Sequence, residues 1–338
     1  MQQTSDEILR QIREGFTGDT EKDIPYLQEK METYRKHEQG EEILRECSRL
    51  LYDMSSGREE MKREQLMEVQ KHMQEVRTYI AQGDRESALR LSEQLVMRAD
   101  NNKFYNDNAA CEYYSFSEFF EEIMVKEFMQ TGREVIKADF PFADIYYQHG
   151  LLLMEQNNLS AARGVLEKAR RWNPVSAPIA FAYMDIFRVT GEMEEYAELN
   201  RSIFPYLYKA DDVAGCYCNF AGYFAEKQEW QAALACCQLS LQFAPDNTVA
   251  QSLMKELQNK TGKTAKMPAK KELERLAAKN GFACAPNGDI VNLAVGMGEQ
   301  FMNRQMFDGA LYCFEIVHGL TRDEKIGELV KQMKILVS

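Results

Sequence analysis

The sequence has 338 residues, of which 45% are hydrophobic and 28% charged, so the chain can bury a core and is not a disordered tail. Its formal charge of -12 argues against wrapping nucleic acid or lying on an anionic membrane, because both need a basic face. Eight prolines and nineteen glycines are few for the many turns of an all-β chain, which favours a helical fold.

Membrane spans and disulfides are not expected. No apolar run approaches the roughly 18 residues that a transmembrane helix needs, and the first residues lack the segments of a signal peptide. The eight cysteines follow no spacing typical of a disulfide scaffold. We therefore predict a soluble, cytoplasmic protein with free, buried thiols.

Residues 1–68 are predicted to form amphipathic helices, because apolar side chains recur at intervals of three and four. These apolar positions are Ile24, Leu27, Met31, Tyr34, Ile43, Leu44, Cys47, Leu50, Leu51 and Met54. One interpretation is a helical cap over the end of a repeat stack, and the other is a bundle that binds a partner. Residues 69–100 form a weaker predicted helix pair, with Val76 before a turn at Gly83 and Ala88 after it.

Residues 101–142 are predicted to be a non-repeat insert rich in aromatic side chains. Residues 104–147 carry twelve of the 36 aromatic residues of the chain. In one interpretation these large side chains join the N-terminal helices to the helices that follow. In the other they form the aromatic wall of a binding groove, since tyrosine supplies contact area at a low cost in entropy.

Residues 143–247 contain three predicted helix pairs. In the first pair, Gly150 and Ala162 lie twelve residues apart, on either side of a short polar turn. Small residues at this separation allow two antiparallel helices to approach closely. The separation recurs between Ala221 and Ala233 and, in a degenerate copy from 177 to 210, between Met184 and Tyr196.

The remaining chain contains an irregular pair and a last repeat. Residues 291–338 repeat the twelve-residue separation at Gly298 and Ala310. Residues 248–290 predict an irregular helix pair, from Thr248 to Asn259 and from Lys270 to Lys279. Seven basic residues within it form a basic stretch: Lys260, Lys263, Lys266, Lys270, Lys271, Arg275 and Lys279. This basic stretch is either a solvated linker and helix or a site that docks an acidic partner or RNA phosphates.

These small residues, together with aromatic neighbours such as Phe224 and Phe301, resemble the tetratricopeptide repeat. The resemblance implies an all-α fold, an α-α superhelix or solenoid with an N-terminal helical cap, in which helix pairs pack against their neighbours. It also implies a concave groove lined by the first helix of each pair. By this resemblance the peptide-binding residues are Tyr147, Leu151, Met154, Phe181, Asp185, Arg188 and Asn219.

The groove departs from the family's clamp for C-terminal carboxylates. Four clamp positions hold no lysine, arginine or asparagine, namely Tyr147, Leu151, Ala182 and Gly215. We therefore predict a non-catalytic scaffold or adaptor that binds some other protein or peptide segment. The alternative is a regulatory receptor for a short signalling peptide or small ligand, because helices followed by such repeats also resemble peptide-sensing regulators of Gram-positive bacteria.

No catalytic motif identifies an enzyme. His149 occupies a large-residue position that we expect in the core. Cys216 and Cys218 would point about 200° apart on a helix and could not share one metal ion. Adjacent acids such as Glu121 and Glu122 are typical of a solvated helix face, so no general acid and base can be nominated. We predict no catalytic residue, cofactor or metal, and leave the oligomeric state open.

Overall fold

A computed structural model describes residues 5–37, 39–129, 131–262 and 268–337. The chain divides into two compact units, residues 1–91 and 92–338. The described residues contain sixteen α-helices, one 3-10 turn and two short strands. Within each unit, most contacts join helices that follow one another in the chain. The prediction of an all-α, solenoid-like fold is therefore confirmed.

The first unit contains helices α1 (Ser5–Glu14), α2 (Thr20–Tyr34) and α3 (Gly40–Gln82), and α4 (Arg85–Asp100) begins in it. One cluster of buried apolar side chains holds the first three helices together: Ile8, Ile12, Leu27, Ile43 and Cys47. Helix α3 continues through residue 68, so the predicted division between 68 and 69 falls inside a helix. The periodic burial of Val69, Met73 and Val76 accounts for this continuation.

The second unit begins with a small strand–helix–strand motif. Strand β1 (Cys111–Tyr114), helix α5 (Phe119–Phe128) and strand β2 (Glu134–Lys137) follow in order. The strands are parallel, with Cys111 opposite Glu134 and Tyr114 opposite Lys137. Parallel strands need a crossover connection, which α5 supplies. The sequence analysis did not predict these strands, because four residues are too few to show an alternating pattern.

Five helix pairs and a final helix complete the second unit. In chain order these are α6 (Phe142–Glu155) and α7 (Leu159–Trp172), α8 (Ala177–Thr190) and α9 (Met193–Ile203), the 3-10 turn Phe204–Tyr206, α10 (Ala210–Glu226) and α11 (Trp230–Phe243), α12 (Thr248–Thr261) and α13 (Lys270–Asn280), α14 (Gly288–Asn303) and α15 (Phe307–Thr321), and α16 (Glu324–Val337). The helices predicted between 248 and 279 correspond to α12 and α13.

The predicted small residues lie where paired helices cross. A Cβ atom added to Gly150 would lie 2.6 Å from Cγ of Leu166, and one added to Gly298 would lie 3.0 Å from Cε1 of Phe314. The alanines at the other crossing positions are fully buried: Ala162, Ala221, Ala233 and Ala310. Close approach of the two helices therefore requires small side chains at these positions.

The turn within the helix pair has one conformation at five places in the chain. Seven positions after the first crossing residue, a residue adopts a positive φ of 58° to 81°: Gly83, Asn157, Gly191, Gln228 and Gln305. The N–H of the next residue then donates to the carbonyl oxygen five positions earlier, which satisfies the end of the first helix. Because Gly191 shares this geometry, the degenerate pair from 177 to 210 is a helix pair like the others.

Packing in the second unit is not restricted to neighbouring pairs, contrary to the sequence-based expectation. The hydroxyl of Tyr312 on α15 donates to Glu118, at the start of α5. The ring of Phe119 lies 4.7 Å from the ring of Tyr312 and 6.0 Å from that of Phe301 on α14, measured between centroids. The aromatic insert thus joins the beginning of this unit to its last helix pair.

Candidate binding site

The seven predicted binding residues lie on the first helices of three consecutive pairs. Helix α6 carries Tyr147, Leu151 and Met154, α8 carries Phe181, Asp185 and Arg188, and α10 carries Asn219. None of them is fully buried: Arg188 is exposed and the other six are half-buried. These first helices therefore keep part of the predicted row of side chains available to a ligand.

The α8 residues combine an aromatic contact with a surface ion pair. A Cβ atom added to Gly215 would lie 3.3 Å from Cε2 of Phe181, so the ring packs against the backbone of α10. Nε of Arg188 donates to Oδ1 of Asp185 at 2.9 Å, and both side chains are about half exposed. Because an exposed pair of this kind contributes only about 0–1 kcal/mol, a ligand can replace Asp185 at little cost.

Asn219 already has a partner within the fold. Its Nδ2 donates to Oδ1 of Asn200 at 3.3 Å. Asn200 is fully buried, and its own Nδ2 donates to the carbonyl oxygen of Cys216 at 2.9 Å. Asn219 thus helps to hold α9 against α10, a role that the sequence did not indicate.

Tyr147 lines a cavity of about 150 Å³ at the start of several helices. Burial raises the pKa of its phenol. The cavity is bounded by α5 and the residues before it, by α6, by the first turn of α8, and by the start of α10. Its lining consists of Ser117, Glu118, Glu121, Asp144, Tyr147, Ser176, Ala177, Pro178, Ile179, Tyr208, Lys209 and Asp212.

The start of α5 is held firmly against this cavity. Glu118 accepts hydrogen bonds from Nζ of Lys209 and from the hydroxyl of Tyr312. Phe120 is 0% exposed, and its ring lies 5.2 Å from that of Tyr208. The aromatic rings of α5 contact α14, α15 and Tyr208 within the second unit, so these contacts do not test the predicted junction with the N-terminal helices. The binding-groove interpretation stays a prediction, with Tyr147 in the cavity lining.

Three carboxyl groups of the cavity have shifted pKa values, those of Asp212, Glu121 and Glu118. Loss of water on burial raises the pKa of Asp212 to about 6, although the charge of nearby Lys209 acts in the opposite direction. Burial also raises the pKa of Glu121, against the lowering effect of hydrogen bonds from Asn173 and two backbone N–H groups. In Glu118, the hydrogen bonds from Lys209 and Tyr312 outweigh burial and lower the pKa.

The sequence analysis missed these cavity carboxylates. The solvated face predicted for Glu121 and Glu122 is wrong for Glu121, which is only 4% exposed. Glu121 closes a capping box with Glu118, in which each side chain accepts from the other residue's backbone N–H. An acid followed three positions later by Glu is the signal that could have revealed it. No local sequence pattern could have predicted that Asp212 lies near this capping box.

Replacing Asp212 with asparagine should raise the free energy of unfolding at pH 8 and change it little at pH 4. The pKa of this carboxyl is about 6 in the folded protein against an ordinary value of 3.8, so folding favours its protonated form. Its contribution to stability is therefore present below about pH 4 and is lost as the pH rises through 6. Urea unfolding at both pH values measures this difference, and the exposed neighbour variant Asp211→Asn controls for net charge. An equal gain in the two variants would contradict the assignment.

The histidine and cysteine residues considered in the sequence analysis lie mostly in the core. His149 is 7% exposed, and its Nδ1 lies 2.8 Å from Oγ of Ser92, which confirms its predicted core position. All eight cysteines are free, six of them buried and two half-buried. In the part of the chain that the structure describes, no group of three or more histidine, cysteine or acidic side chains could hold a metal ion.

The basic stretch is partly neutralised where the structure describes it. Nζ of Lys260 lies 2.6 Å from Glu256, and Nζ of Lys279 lies 3.2 Å from Glu229. Lys263 and Lys266 lie outside the described residues. The two interpretations of the basic stretch therefore stay open and are separated below by their dependence on salt.

No protein-family model matches this sequence, and no curated protein sequence matches it either. Across the residues with described structure, none of the helices combines the length and apolar character required to cross a bilayer.

Proposed function

We propose that the chain is a non-catalytic scaffold of the tetratricopeptide type, which binds a protein or peptide segment along the first helices of its central pairs. The main support is the incomplete burial of the side chains on α6, α8 and α10 that the resemblance assigns to the groove. Tyr147, Phe181 and Arg188 are the proposed anchors, because aromatic residues and arginine supply most of the binding energy at protein interfaces.

Two regularities support the proposed family. In the pairs that begin with α6 and α14, a glycine contacts a large side chain sixteen residues later: Gly150 meets Leu166, and Gly298 meets Phe314. The same left-handed turn residue recurs seven positions after the crossing residue. A repeated supersecondary unit of this kind builds an extended binding surface from equivalent helices. We also propose a bacterial, cytoplasmic setting on the resemblance alone, with nucleic acid and membrane not expected as partners.

A second candidate function is a regulatory receptor for a short peptide or small ligand. The cavity beside Tyr147 favours it, because a volume of about 150 Å³ suits a small chemical group better than an extended chain. Capture of partners from the source cell, followed by mass spectrometry, separates the two functions. A stoichiometric protein supports the scaffold, whereas a co-purifying peptide or small molecule supports the receptor.

Truncation of the proposed anchors should weaken binding of the captured partner. We expect Tyr147→Ala, Phe181→Ala or Arg188→Ala to cost about 1 kcal/mol or more at one position at least, and the fold to remain intact. Isothermal titration calorimetry at low and high salt measures the affinities. The matched controls are Phe307→Ala at the start of α15 and Arg304→Ala just after α14, which remove exposed side chains.

The dependence of binding affinity on salt concentration distinguishes the first-helix surface from the basic stretch as the binding site. Binding to the first helices should respond little to salt, whereas binding to Lys260, Lys270 and their neighbours should weaken steeply. Three unchanged affinities together with a steep salt dependence would reject the first-helix surface in favour of the basic stretch.

A further inference from the structure

The cavity beside Tyr147 has the size of a single functional group. Its volume of about 150 Å³ is well below the roughly 300–1,000 Å³ of clefts that hold a drug-sized ligand. An extended peptide cannot enter such a space. The end of one side chain, an amino terminus or a small molecule can.

Negative charge dominates the lining of this cavity. Four carboxyl groups line it, from Glu118, Glu121, Asp144 and Asp212, against one described cation, Lys209. Lys209 already donates to Glu118. Among the described residues, no hydrogen-bond donor reaches the side chain of Asp212. A cationic group would therefore be attracted into the cavity, and an anion would be repelled.

Two residues of the lining are nearly buried, and each has one side-chain oxygen without a donor among the described residues. Ser176 begins α8 and is 5% exposed, yet its side chain makes no capping hydrogen bond and has no partner within the described chain. Glu121 is 4% exposed, and all of its hydrogen bonds go to Oε2, from the N–H groups of Ser117 and Glu118 and from Nδ2 of Asn173. Its Oε1 has no donor in the structure as described. Neither oxygen is among the side-chain atoms that are fully buried without a partner, so both are open to the cavity and can accept from a group inside it.

A primary ammonium group matches these acceptors. It carries three N–H donors, one positive charge and no acceptor. We propose that the cavity binds a primary ammonium group through Asp212, Ser176 and Glu121. The source of that group rests on the proposed function: it is the amino terminus or a lysine side chain of the segment that lies along the first helices.

The test uses n-butylammonium chloride as the probe and the full-length protein, with ligand-detected NMR titrations at constant ionic strength. We expect n-butylammonium to bind, and 1-butanol and butyrate, which have the same chain without the positive charge, to bind at least tenfold more weakly. Equal binding of n-butylammonium and 1-butanol would overturn the proposal.

Matched variants test whether n-butylammonium binds at Asp212 and Ser176. Asp212→Asn should weaken n-butylammonium binding by about tenfold or more, and Ser176→Ala should weaken it by a smaller factor. Asp211→Asn removes the same charge from the adjacent, exposed position and should leave the affinity unchanged. Because asparagine is nearly isosteric with aspartate, circular dichroism should show an intact fold. Equal affinities of the Asp211 and Asp212 variants would overturn the proposal.

Binding experiments with a captured segment distinguish an error in the ammonium site from an error in the proposed scaffold function. If Arg188→Ala weakens segment binding and Asp212→Asn does not, the scaffold stands and the ammonium site is wrong. If n-butylammonium binds in an Asp212-dependent way and no segment is captured, the site stands as one for a small amine and the scaffold is wrong. If both hold, acetylating the segment's amino terminus alone shows whether that group or a lysine occupies the cavity.

Discussion

Phe120→Ala should lower the free energy of unfolding of the second unit by about 3–5 kcal/mol, the usual cost of removing a buried phenylalanine ring. Phe120 is 0% exposed and lies against Tyr208, and its neighbours Met124 and Val125 on α5 are also 0% exposed. A cavity remains where the ring was, because the surrounding structure of a protein core relaxes only partly. Urea unfolding followed by circular dichroism measures the loss.

Phe307→Ala is the matched control, because it removes the same atoms from a side chain that is 43% exposed. We expect a smaller change there, since nearly half of this side chain stays in contact with water in the folded protein. Similar losses in the two variants would show that α5 is not part of the core of this unit. A large loss for Phe120 alone would show that α5 belongs to the core of this unit.

Gly150→Leu should destabilise the second unit by on the order of 1–3 kcal/mol or more, as overpacking does. Even a Cβ atom at this position would lie 2.6 Å from both Cγ and Cδ2 of Leu166, so α6 and α7 must move apart. Ala233→Leu should act in the same direction, because Ala233 is 0% exposed where α10 and α11 cross. Thermal unfolding of the purified variants measures the effect.

Gly164 provides the control within the same helix pair. It lies on the exposed side of α7, and an added Cβ atom would meet no atom within 4 Å. Gly164→Leu should therefore raise stability by about 0.5–1 kcal/mol, since glycine is a poor helix former. Equal destabilisation at Gly150 and Gly164 would refute the close approach of α6 and α7.

The helix pairs could be predicted because their determinants are local. A small residue at Gly150 and another at Ala162 reflect the crossing of two helices joined by one short turn, and the pattern repeats along the chain. The ends of α12 and α13 could be predicted for the same reason: Asn247 caps the start of α12, and Gly281 ends α13 with a positive φ of 66°.

The strands and the burial of Glu121 could not be predicted in this way. Strand β1 is recognisable only through its partner β2, which lies about twenty residues later. From the sequence, Glu121 is expected on the surface. In the fold, Nδ2 of Asn173, 52 residues away, donates a hydrogen bond to its buried carboxylate. A charged residue is usually exposed, but a hydrogen-bond donor from a distant part of the chain allows it to be buried.

The helical class, the repeated pairs and the helices that carry the candidate binding residues follow from local spacing, since spacing along one helix decides which side chains share a face. The packing of α5 against α15, and the cavity bordered by Glu121, Ser176 and Asp212, became known from the folded chain alone. The difference lies in how far apart the contacting residues are in the sequence. Contacts within a helix pair follow from neighbouring residues, whereas the cavity requires α5, α6, α8 and α10 to be in place together.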